Sequence, residues 1–410
     1  MALEQTFVIV GASLAGAKAA EMLRAEGFDG RVVLIGEEAE RPYERPMLSK
    51  EYLRGDKPAA KLYVHDEGFY ADNDIELLTG TRVASLEPGA HEITLADGSR
   101  MPYSRLLLST GATPRRLPLP GAEMAGVCYL RAMADSDALR AAIKAASRVV
   151  VIGAGWIGSE VAASARQMGA EVAMVAPEVV PLERVLGPLL GGVYRDLHAD
   201  HGVDLHLSTQ IEAIVGKEAA QGVRTSDGNV IEGDLVVVGV GVSARDELAR
   251  DAGLTLENGI VVDEFLRTSA PDVFAAGDVA ATWNPMYNRR IRMEHWANAL
   301  NQGQTAARNM LSQDSQITAY TKLAYFYSDQ FDLGMEYNGY AADWDQVVVR
   351  GDLAAREFLA FWLKDGRILA GMNANVWDQG DQIKALVRSG ATIDPDRLAD
   401  LSTPLADLAT

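Results

Sequence analysis

Two glycine-rich loops constrain the fold of this chain more than any other feature of its sequence. The first, GASLAG at residues 11–16, follows the apolar run TFVIV at 6–10 and precedes a segment of helical composition. The second, GAGWIG at 153–158, stands in the same way between SRVVVIG and SEVAASARQMGA. A strand, a glycine loop and a helix in that order are the local context of a dinucleotide-binding βαβ unit. The sequence therefore predicts two copies of one nucleotide-binding module.

The glycines of such a loop let the backbone approach a pyrophosphate at the positive N-terminus of the next helix. In the first loop Ser13 takes the middle glycine position, where a small side chain is tolerated. Glu37 directly follows the strand segment RVVLIG and is placed to accept hydrogen bonds from an adenosine ribose. Two nucleotide sites in one chain predict two cofactors that meet. A flavin dinucleotide and a nicotinamide dinucleotide form a useful pair, because hydride passes between them.

Composition excludes several other classes of function. The chain has 410 residues, a formal net charge of −19 at pH 7 and one cysteine, Cys128. A single cysteine excludes an internal disulfide and a Cys-rich metal site, and we predict no bound metal. The negative charge argues against nucleic acid as a partner. No apolar run reaches the roughly 18 residues of a membrane helix, and no basic segment precedes the first apolar run. We therefore expect a cytoplasmic protein without membrane insertion.

An ordered set of segments carries a resemblance to a known family. The segments are GASLAG, LIGEE, PYERPMLSK, LLLSTGATPRRLPLPG, YLR, VVVIGAGWIGSEVA, VVGVGV, TSAPDVFAAGDVA and EHWANALNQG. Residues 6–303 resemble the FAD-dependent pyridine-nucleotide reductases, and especially the ferredoxin and rubredoxin reductases of bacterial oxygenase systems. They also resemble monodehydroascorbate reductase and apoptosis-inducing factor. The resemblance implies an α/β fold with an FAD-binding domain at 1–113 and 245–320, an NAD-binding domain at 114–244 and a C-terminal α+β domain at 321–410.

The resemblance also implies which residues hold a non-covalent FAD. They are Gly11, Ser13, Ala15, Gly16, Glu37, Arg45, Pro46, Lys50, Val83, Thr110, Gly111, Arg131, Gly277, Asp278, His295, Trp296 and Tyr327. Within this set Val83 is implied to meet the adenine through its backbone, and Asp278 to bond the ribityl chain. Tyr327 stands where many relatives have tryptophan, and this departure leaves the tuning of the flavin open.

For the nicotinamide nucleotide, the implied residues are Gly153, Gly155, Trp156, Ile157, Gly158, Glu160, Glu178 and Gly241. Most oxygenase-type relatives have glutamate directly after the second strand of this module, where this chain has Ala176. Glu178 follows and is still placed to hold ribose hydroxyls, and the turn has no arginine before Arg184. We therefore expect NADH rather than NADPH as the electron donor.

Two of these residues are implied to act in catalysis. Lys50, at the end of RPMLSK, is implied to lie beside the flavin ring, where a cation offsets negative charge as the ring is reduced. Glu160, in GWIGSE, resembles the family glutamate that pairs with this lysine. An ordinary solvated lysine and a plain acid at a helix N-terminus are the competing interpretations.

The electron acceptor is predicted by elimination. Disulfide reductases of this fold need a cysteine pair beside the flavin, and peroxidase or oxidase relatives need one cysteine in the first module. The segment around RPMLSK has none. We therefore expect a one-electron carrier, an iron–sulfur ferredoxin or a rubredoxin, that feeds a cytochrome P450 or a Rieske dioxygenase. A small-molecule radical such as monodehydroascorbate and a redox-signalling role are the alternatives, and both monomer and homodimer stay open.

Docking of an acidic carrier onto this acidic chain requires a local basic patch. Two groups of cations are candidates for that patch. One is NRRIR, with Arg289, Arg290 and Arg292; the other is Lys384 with Arg388, which share a face if DQIKALVRSG is helical.

Overall fold

The structure is a computed structural model that describes residues 5–312 and 316–408. The chain divides into two compact units. The first comprises the described parts of Met1–Glu44, Ala60–Thr113 and Val242–Ala324. The second comprises those of Arg45–Ala59, Pro114–Gly241 and Tyr325–Thr410. The segment RPMLSK thus lies in the second unit, whereas the predicted boundaries place it in the FAD-binding domain.

A five-stranded parallel sheet forms the centre of the first unit. Its strand order is Val273–Ala275, Arg105–Leu108, Thr6–Val10, Arg31–Ile35 and Ile75–Leu78. Strands of a parallel sheet are buried on both faces, which explains continuous apolar runs such as TFVIV. Helices Leu14–Ala25 and Trp296–Leu311 pack together beside this sheet. Their approach needs Gly303, because a Cβ there would lie 2.2 Å from the Ala15 carbonyl oxygen.

Smaller elements complete the first unit. They are an antiparallel sheet of Val83–Glu87, Glu92–Leu95 and Arg100–Pro102, a mixed sheet of Ile260–Val262, Ala280–Asn284 and Arg289–Arg292, a paired Ala112–Pro114 and Val242–Ala244, and short helices Phe69–Asp72 and Glu247–Asp251. Single 3-10 turns lie at Pro88–Ala90 and Gly277–Val279.

The second unit repeats the parallel architecture. Its sheet has the order Asp204–His206, Glu171–Val175, Arg148–Ile152, Leu235–Val238 and Val127–Cys128. Further elements are the antiparallel strands Ile211–Gly216, Ala220–Thr225 and Val230–Glu232, the 3-10 turn Arg45–Ser49, and the helices Glu51–Arg54, Met133–Ala145, Trp156–Gln167 and Glu183–Asp200. The 3-10 turn Ala59–Lys61 begins at the last residue of segment Arg45–Ala59 and continues into segment Ala60–Thr113 of the first unit. The duplicated glycine loops thus belong to duplicated parallel sheets, as the sequence predicts.

The C-terminal part of the second unit is an antiparallel sheet with helices. Its strand order is Tyr325–Gln330, Leu333–Gly339, Arg367–Ala374, Glu357–Lys364 and Gln346–Asp352; helices Gly380–Ser389 and Pro395–Ala399 and the turn Leu405–Leu408 follow. The KDGR segment forms a hairpin, with positive φ at both Asp365 and Gly366 as a two-residue turn of type I′ requires. One face of this sheet buries Phe358 and Trp362 in a cluster with Leu186 and Tyr194 of helix Glu183–Asp200.

Within residues 5–312 and 316–408, no helix is both long enough and apolar enough to cross a membrane.

Candidate active site

The first glycine loop is a backbone turn that excludes side chains at two positions. Gly11 has φ +118°, and a Cβ on it would lie 2.1 Å from the Ser109 carbonyl oxygen. A Cβ on Gly16 would lie 2.1 Å from the Gly11 carbonyl oxygen. Ser13 stands at the N-cap of helix Leu14–Ala25 with extended backbone angles, and its side chain makes no capping hydrogen bond. The first N–H groups of a helix have no acceptor within the helix, so this helix start fits a pyrophosphate.

A pocket of about 130 Å³ opens beside this loop in the first unit. Its lining includes four of the predicted FAD residues, Gly11, Glu37, Val83 and Thr110. The lining also contains Arg245, which the sequence analysis did not select, and its guanidinium forms an ion pair with the Glu37 carboxylate. The combination of an acid, a backbone turn and an apolar wall suits an adenosine group.

The backbone of Arg245 is held in place by other predicted residues. The Thr110 hydroxyl donates to the Arg245 carbonyl oxygen at 2.6 Å, and the Arg245 N–H donates to the Gly111 carbonyl oxygen at 2.9 Å. Sequence reasoning missed this arginine because it lies 208 residues from Glu37.

Gly277 and Asp278 form a turn against the start of the first helix. Gly277 has φ +79°, and a Cβ on it would lie 3.2 Å from the Ala15 Cβ. Its N–H donates to Gln302 Oε1 at 2.8 Å, a second contact that the sequence does not reveal. The Arg292 guanidinium donates to the Asp278 carbonyl oxygen at 3.0 Å. The Asp278 side chain is half-buried at this turn, which suits the predicted bond to a polar cofactor chain.

His295 and Trp296 begin helix Trp296–Leu311, with His295 at the N-cap. Burial lowers the pKa of His295 to about 4, against the opposing effect of Asp278, so the imidazole is neutral near pH 7. Among the described residues, no acceptor binds the buried indole N–H of Trp296. A buried donor without a partner is costly, and this one fits a polar edge of a bound cofactor.

In the second unit, Lys50 and Glu160 form a buried ion pair. Lys50 Nζ lies 3.2 Å from Glu160 Oε1, and the two residues are 3% and 4% exposed. Lys50 Nζ also lies 5.2 Å from the centre of the Tyr327 ring. A buried ion pair is stable only when its remaining hydrogen-bonding capacity is satisfied. The structure thus brings three of the predicted residues together.

Two serines that sequence reasoning missed donate hydrogen bonds to the Glu160 carboxylate. The Ser49 hydroxyl donates to Glu160 Oε2 at 2.5 Å, and the Ser328 hydroxyl donates to Oε1 at 2.7 Å. Both serines are 1% exposed. Ser49 precedes Lys50, and Ser328 follows Tyr327, so both are sequence neighbours of predicted residues. This adjacency in the sequence is the one feature that could have identified the two serines as site residues.

The segment RPMLSK is fixed by helix Met133–Ala145 and the residues before it. Arg45 Nη1 donates to the Arg131 carbonyl oxygen at 2.7 Å, which brings two predicted FAD residues into contact. The Ser136 hydroxyl donates to the Leu48 carbonyl oxygen at 2.8 Å. Pro46 lies in the 3-10 turn Arg45–Ser49, where its restricted φ stiffens the approach to Lys50.

The second glycine loop repeats the backbone geometry of the first. Gly153 has φ +102°, with its hypothetical Cβ 2.5 Å from the Gly239 carbonyl oxygen, and a Cβ on Gly158 would lie 2.1 Å from the Gly153 carbonyl oxygen. Gly155 differs, because within the described structure no atom lies within 4 Å of its Cβ position. Space in front of this glycine suits a second pyrophosphate.

The remaining predicted nicotinamide residues of this loop region range from packed to exposed. Trp156 packs edge-on against Tyr194 at 6.1 Å and Phe326 at 4.9 Å, an environment typical of a core aromatic. Ile157 is 43% exposed at the same helix start. Gly241 has φ +95° with open space around its Cβ position among the described atoms.

Glu178 forms an ion pair with Arg184, with Oε1 and Nη2 2.8 Å apart. The Glu178 side chain is half-buried, whereas the Arg184 side chain is 82% exposed. Ala176, directly after strand Glu171–Val175, is fully buried. Glu178 is therefore the acid at this strand end, and its role towards the ribose hydroxyls stays a prediction.

Cys128 shows no sign of redox activation. The thiol is half-buried, and burial, together with the charge of Asp135, raises its pKa above the ordinary value. A raised pKa disfavours the thiolate that redox chemistry needs.

Comparison with known proteins agrees with this geometry. Residues 5–303 match the family "Pyridine nucleotide-disulphide oxidoreductase", and residues 325–409 match "Reductase C-terminal". The chain is 40% identical over 98% of its length to the 5,5'-dehydrodivanillate O-demethylase ferredoxin reductase subunit of Sphingobium sp., with 97% of that protein covered. It is 40% identical to the anthranilate 1,2-dioxygenase system ferredoxin–NAD(+) reductase component of Burkholderia cepacia, over 96% of this chain and 97% of the relative.

A solved structure extends the likeness to the whole fold. The covalent putidaredoxin reductase–putidaredoxin complex contains a chain that matches with a TM-score of 0.94 at 35% identity, covering 98% of each chain.

The chain belongs to the pyridine nucleotide-disulphide oxidoreductase family. It is an oxidoreductase with FAD and NADH as its cofactors. The predicted family and α/β fold class are therefore confirmed.

Proposed function

We propose that this protein is an NADH-dependent ferredoxin reductase of an oxygenase system. FAD, when bound, accepts two electrons as hydride from NADH and releases them singly to a protein carrier. The single observation that carries the proposal is the buried Lys50–Glu160 pair in a chain that lacks a cysteine pair. Ferredoxin-reductase relatives at 40% identity over nearly the whole chain support it.

The assignment of domains and site residues belongs to this proposal. We assign FAD binding to residues 1–113 and 245–320, NAD binding to 114–244 and a C-terminal role to 321–410. The pocket with Glu37 and the Gly277 turn support the first assignment, and the open Gly155 loop supports the second. The FAD-binding assignment needs one qualification. Residues Arg45–Ala59 cluster with the second unit, because RPMLSK is attached to helix Met133–Ala145.

In this scheme Lys50 supplies a fixed positive charge, and Glu160 with its two serine donors keeps that charge in place. A cation that is already oriented stabilises developing negative charge without reorganisation during the reaction. Glu178 accepts hydrogen bonds from the ribose hydroxyls of NADH and repels a 2′-phosphate, which is the basis for the preference over NADPH.

The carrier is an iron–sulfur ferredoxin or a rubredoxin. Arg290 is an unsuitable docking residue, because its Nη1 donates to the carbonyl oxygens of Val262 at 2.5 Å and Ala281 at 2.9 Å. Helix Gly380–Ser389 is the better candidate, since it carries the exposed Arg388. Lys384 lies on the same helix and forms an ion pair with Asp381 at 3.1 Å. We place the protein in the cytoplasm, where NADH is available.

Steady-state turnover with NADH tests the function. The assay follows NADH oxidation with cytochrome c as the final acceptor and either no carrier, a [2Fe-2S] ferredoxin or a rubredoxin; in a fourth arm monodehydroascorbate replaces both cytochrome c and the carrier. We expect an iron–sulfur carrier to raise the rate at least about tenfold, and the gain to shrink as salt rises from about 0.05 to 0.5 M. Equal rates with and without carriers, or turnover with monodehydroascorbate alone, contradict the proposal.

A further inference from the structure

A chain of buried polar side chains leads away from Glu160. Ser328 Oγ, which donates to Glu160, accepts a hydrogen bond from Gln330 Nε2 at 3.3 Å. Gln330 Oε1 lies 2.9 Å from His198 Nε2. Gln330 is 1% exposed and His198 is fully buried. The catalytic pair is thus connected to helix Glu183–Asp200 by polar groups that water does not reach.

Hydrogen-bond chemistry fixes the direction of this chain. An ionised carboxylate only accepts, so the single hydroxyl proton of Ser328 points to Glu160. Ser328 must then accept from the amide NH₂ of Gln330, which turns the amide oxygen towards His198. That oxygen only accepts, so His198 carries its proton on Nε2. Each donor in the series points towards the carboxylate.

The protonation of His198 is consistent with hydrogen bonds that point towards Glu160. Burial lowers the pKa of His198 to about 4, so the ring is neutral near pH 7 and carries one proton. Its other nitrogen, Nδ1, is buried and has no hydrogen-bond partner within the described structure. Residues 5–312 and 316–408 therefore offer Nδ1 no acceptor that would favour the opposite tautomer, in which Nδ1 carries the proton.

We propose that His198 and Gln330 are positioning residues for reduction of the flavin by NADH: they hold the Ser328 hydroxyl as a donor to Glu160 and so fix Glu160 against Lys50. Without the amide donor, the Ser328 oxygen loses the partner that orients its hydroxyl proton towards Glu160. Glu160 then loses an oriented partner, and Lys50 occupies a wider range of positions. A preorganised charge that becomes mobile contributes less to catalysis.

This inference rests on the proposed function, because the Lys50–Glu160 pair has its catalytic meaning only there. The test compares the wild type with His198→Leu, which removes the terminal donor, and His198→Gln, whose amide NH₂ restores it. Tyr194→Phe is the matched control. Tyr194 lies one turn before His198 on the same helix, is fully buried, and its hydroxyl has no hydrogen-bond partner among the described residues.

Two measurements separate positioning from packing. Stopped-flow reduction at saturating NADH gives the limiting rate, and an equilibrium redox titration gives the midpoint potential of the bound flavin. We expect His198→Leu to lower the limiting rate about 2- to 12-fold, the range for one neutral hydrogen bond. NADH affinity should stay within about twofold, and the potential should become more negative. His198→Gln and Tyr194→Phe should behave as the wild type.

Three results overturn the inference. They are an unchanged rate and potential in His198→Leu, equal impairment in His198→Gln, or equal impairment in Tyr194→Phe. If His198→Leu fails to fold, Gln330→Met cuts the same chain in its middle and is judged by the same two measurements. A wild-type protein that NADH does not reduce, or that reduces no carrier, refutes the proposed function instead, so the two failures are distinguishable.

Discussion

The two glycine loops share one backbone design but differ at their middle position. In each loop the outer glycines are required by the protein itself. A Cβ on Gly16 or Gly158 would lie 2.1 Å from the carbonyl oxygen of Gly11 or Gly153, respectively. The middle positions are Ser13, which has extended backbone, and Gly155, which faces open space.

This difference separates residues that build the turn from residues that face a ligand. The outer glycines cannot be replaced without moving the backbone, whether or not a nucleotide is bound. Gly155 meets no described atom, so the space before it is available to the nucleotide. The strand-end acids also differ, since Glu37 is paired with Arg245 inside a pocket and Glu178 with the exposed Arg184.

The largest effect is expected from a pair of valine substitutions in the second loop. Gly155→Val should fold, keep its FAD and lose reduction by NADH almost completely, because the side chain fills the space of the pyrophosphate. Gly158→Val should yield little folded protein, because its Cβ overlaps the Gly153 carbonyl oxygen. Thermal unfolding, flavin absorbance and stopped-flow reduction distinguish the two outcomes.

The equivalent substitutions Gly16→Val and Gly158→Val, one in each loop, control for loss of nucleotide binding through misfolding. Both should fail at folding, so loss of FAD in Gly16→Val identifies a broken turn rather than a flavin contact. If Gly155→Val is reduced by NADH at the wild-type rate, the second loop does not hold the nicotinamide nucleotide.

Local sequence predicts the loops well, and it predicts distant partners poorly. GASLAG and GAGWIG carry their geometry within six residues, and the apolar runs before them form the parallel strands. Arg245 lies 208 residues from its partner Glu37, and Gln330 lies 132 residues from His198. No periodicity reports such contacts, because they depend on how strands and helices pack.

Charge runs are another case in which the sequence alone misleads. NRRIR looks like an exposed basic patch, but successive residues of a strand face opposite sides, so its arginines do not all share one face. Arg290 binds the carbonyl oxygens of Val262 and Ala281, and Arg292 forms an ion pair with Glu294 at 2.6 Å. These two arginines stabilise their own unit.

The strand-end acid of the second module is expected to give the next-largest effect. Glu178→Ala should lower NADH affinity about 10- to 100-fold, because charged hydrogen bonds to the ribose hydroxyls are lost. NADPH affinity should fall less or rise, since the repulsive carboxylate is gone and Arg184 is released. The measurement is the dissociation constant of each nucleotide. Arg184→Met, which keeps Glu178, is the control; an unchanged NADH-to-NADPH ratio in Glu178→Ala contradicts the assignment.

The corresponding test in the first module should give a smaller effect. Arg245→Met should weaken FAD binding to the apoprotein about 2- to 5-fold, because the Glu37–Arg245 pair is partly exposed and such pairs contribute little. ADP, which contains the adenosine and pyrophosphate but no flavin, should lose affinity by the same factor. Arg250→Met is the control, since Arg250 pairs with Asp246 and does not line the pocket. If Arg245→Met weakens the binding of FAD but not that of ADP, the pocket does not hold the adenosine group.

The smallest effect on cofactor binding is expected at Ser13, the middle position of the first loop, where the second loop has glycine. Ser13→Gly gives the first loop the middle residue of the second, and Ser13 makes no capping hydrogen bond that would be lost. Exchange of serine for glycine at an N-cap costs only a few tenths of a kcal/mol, so FAD affinity should stay within about twofold. Flavin titration of the apoprotein measures this. A loss of tenfold or more would show that the serine hydroxyl itself binds the pyrophosphate, and the middle position would then serve the ligand in both loops.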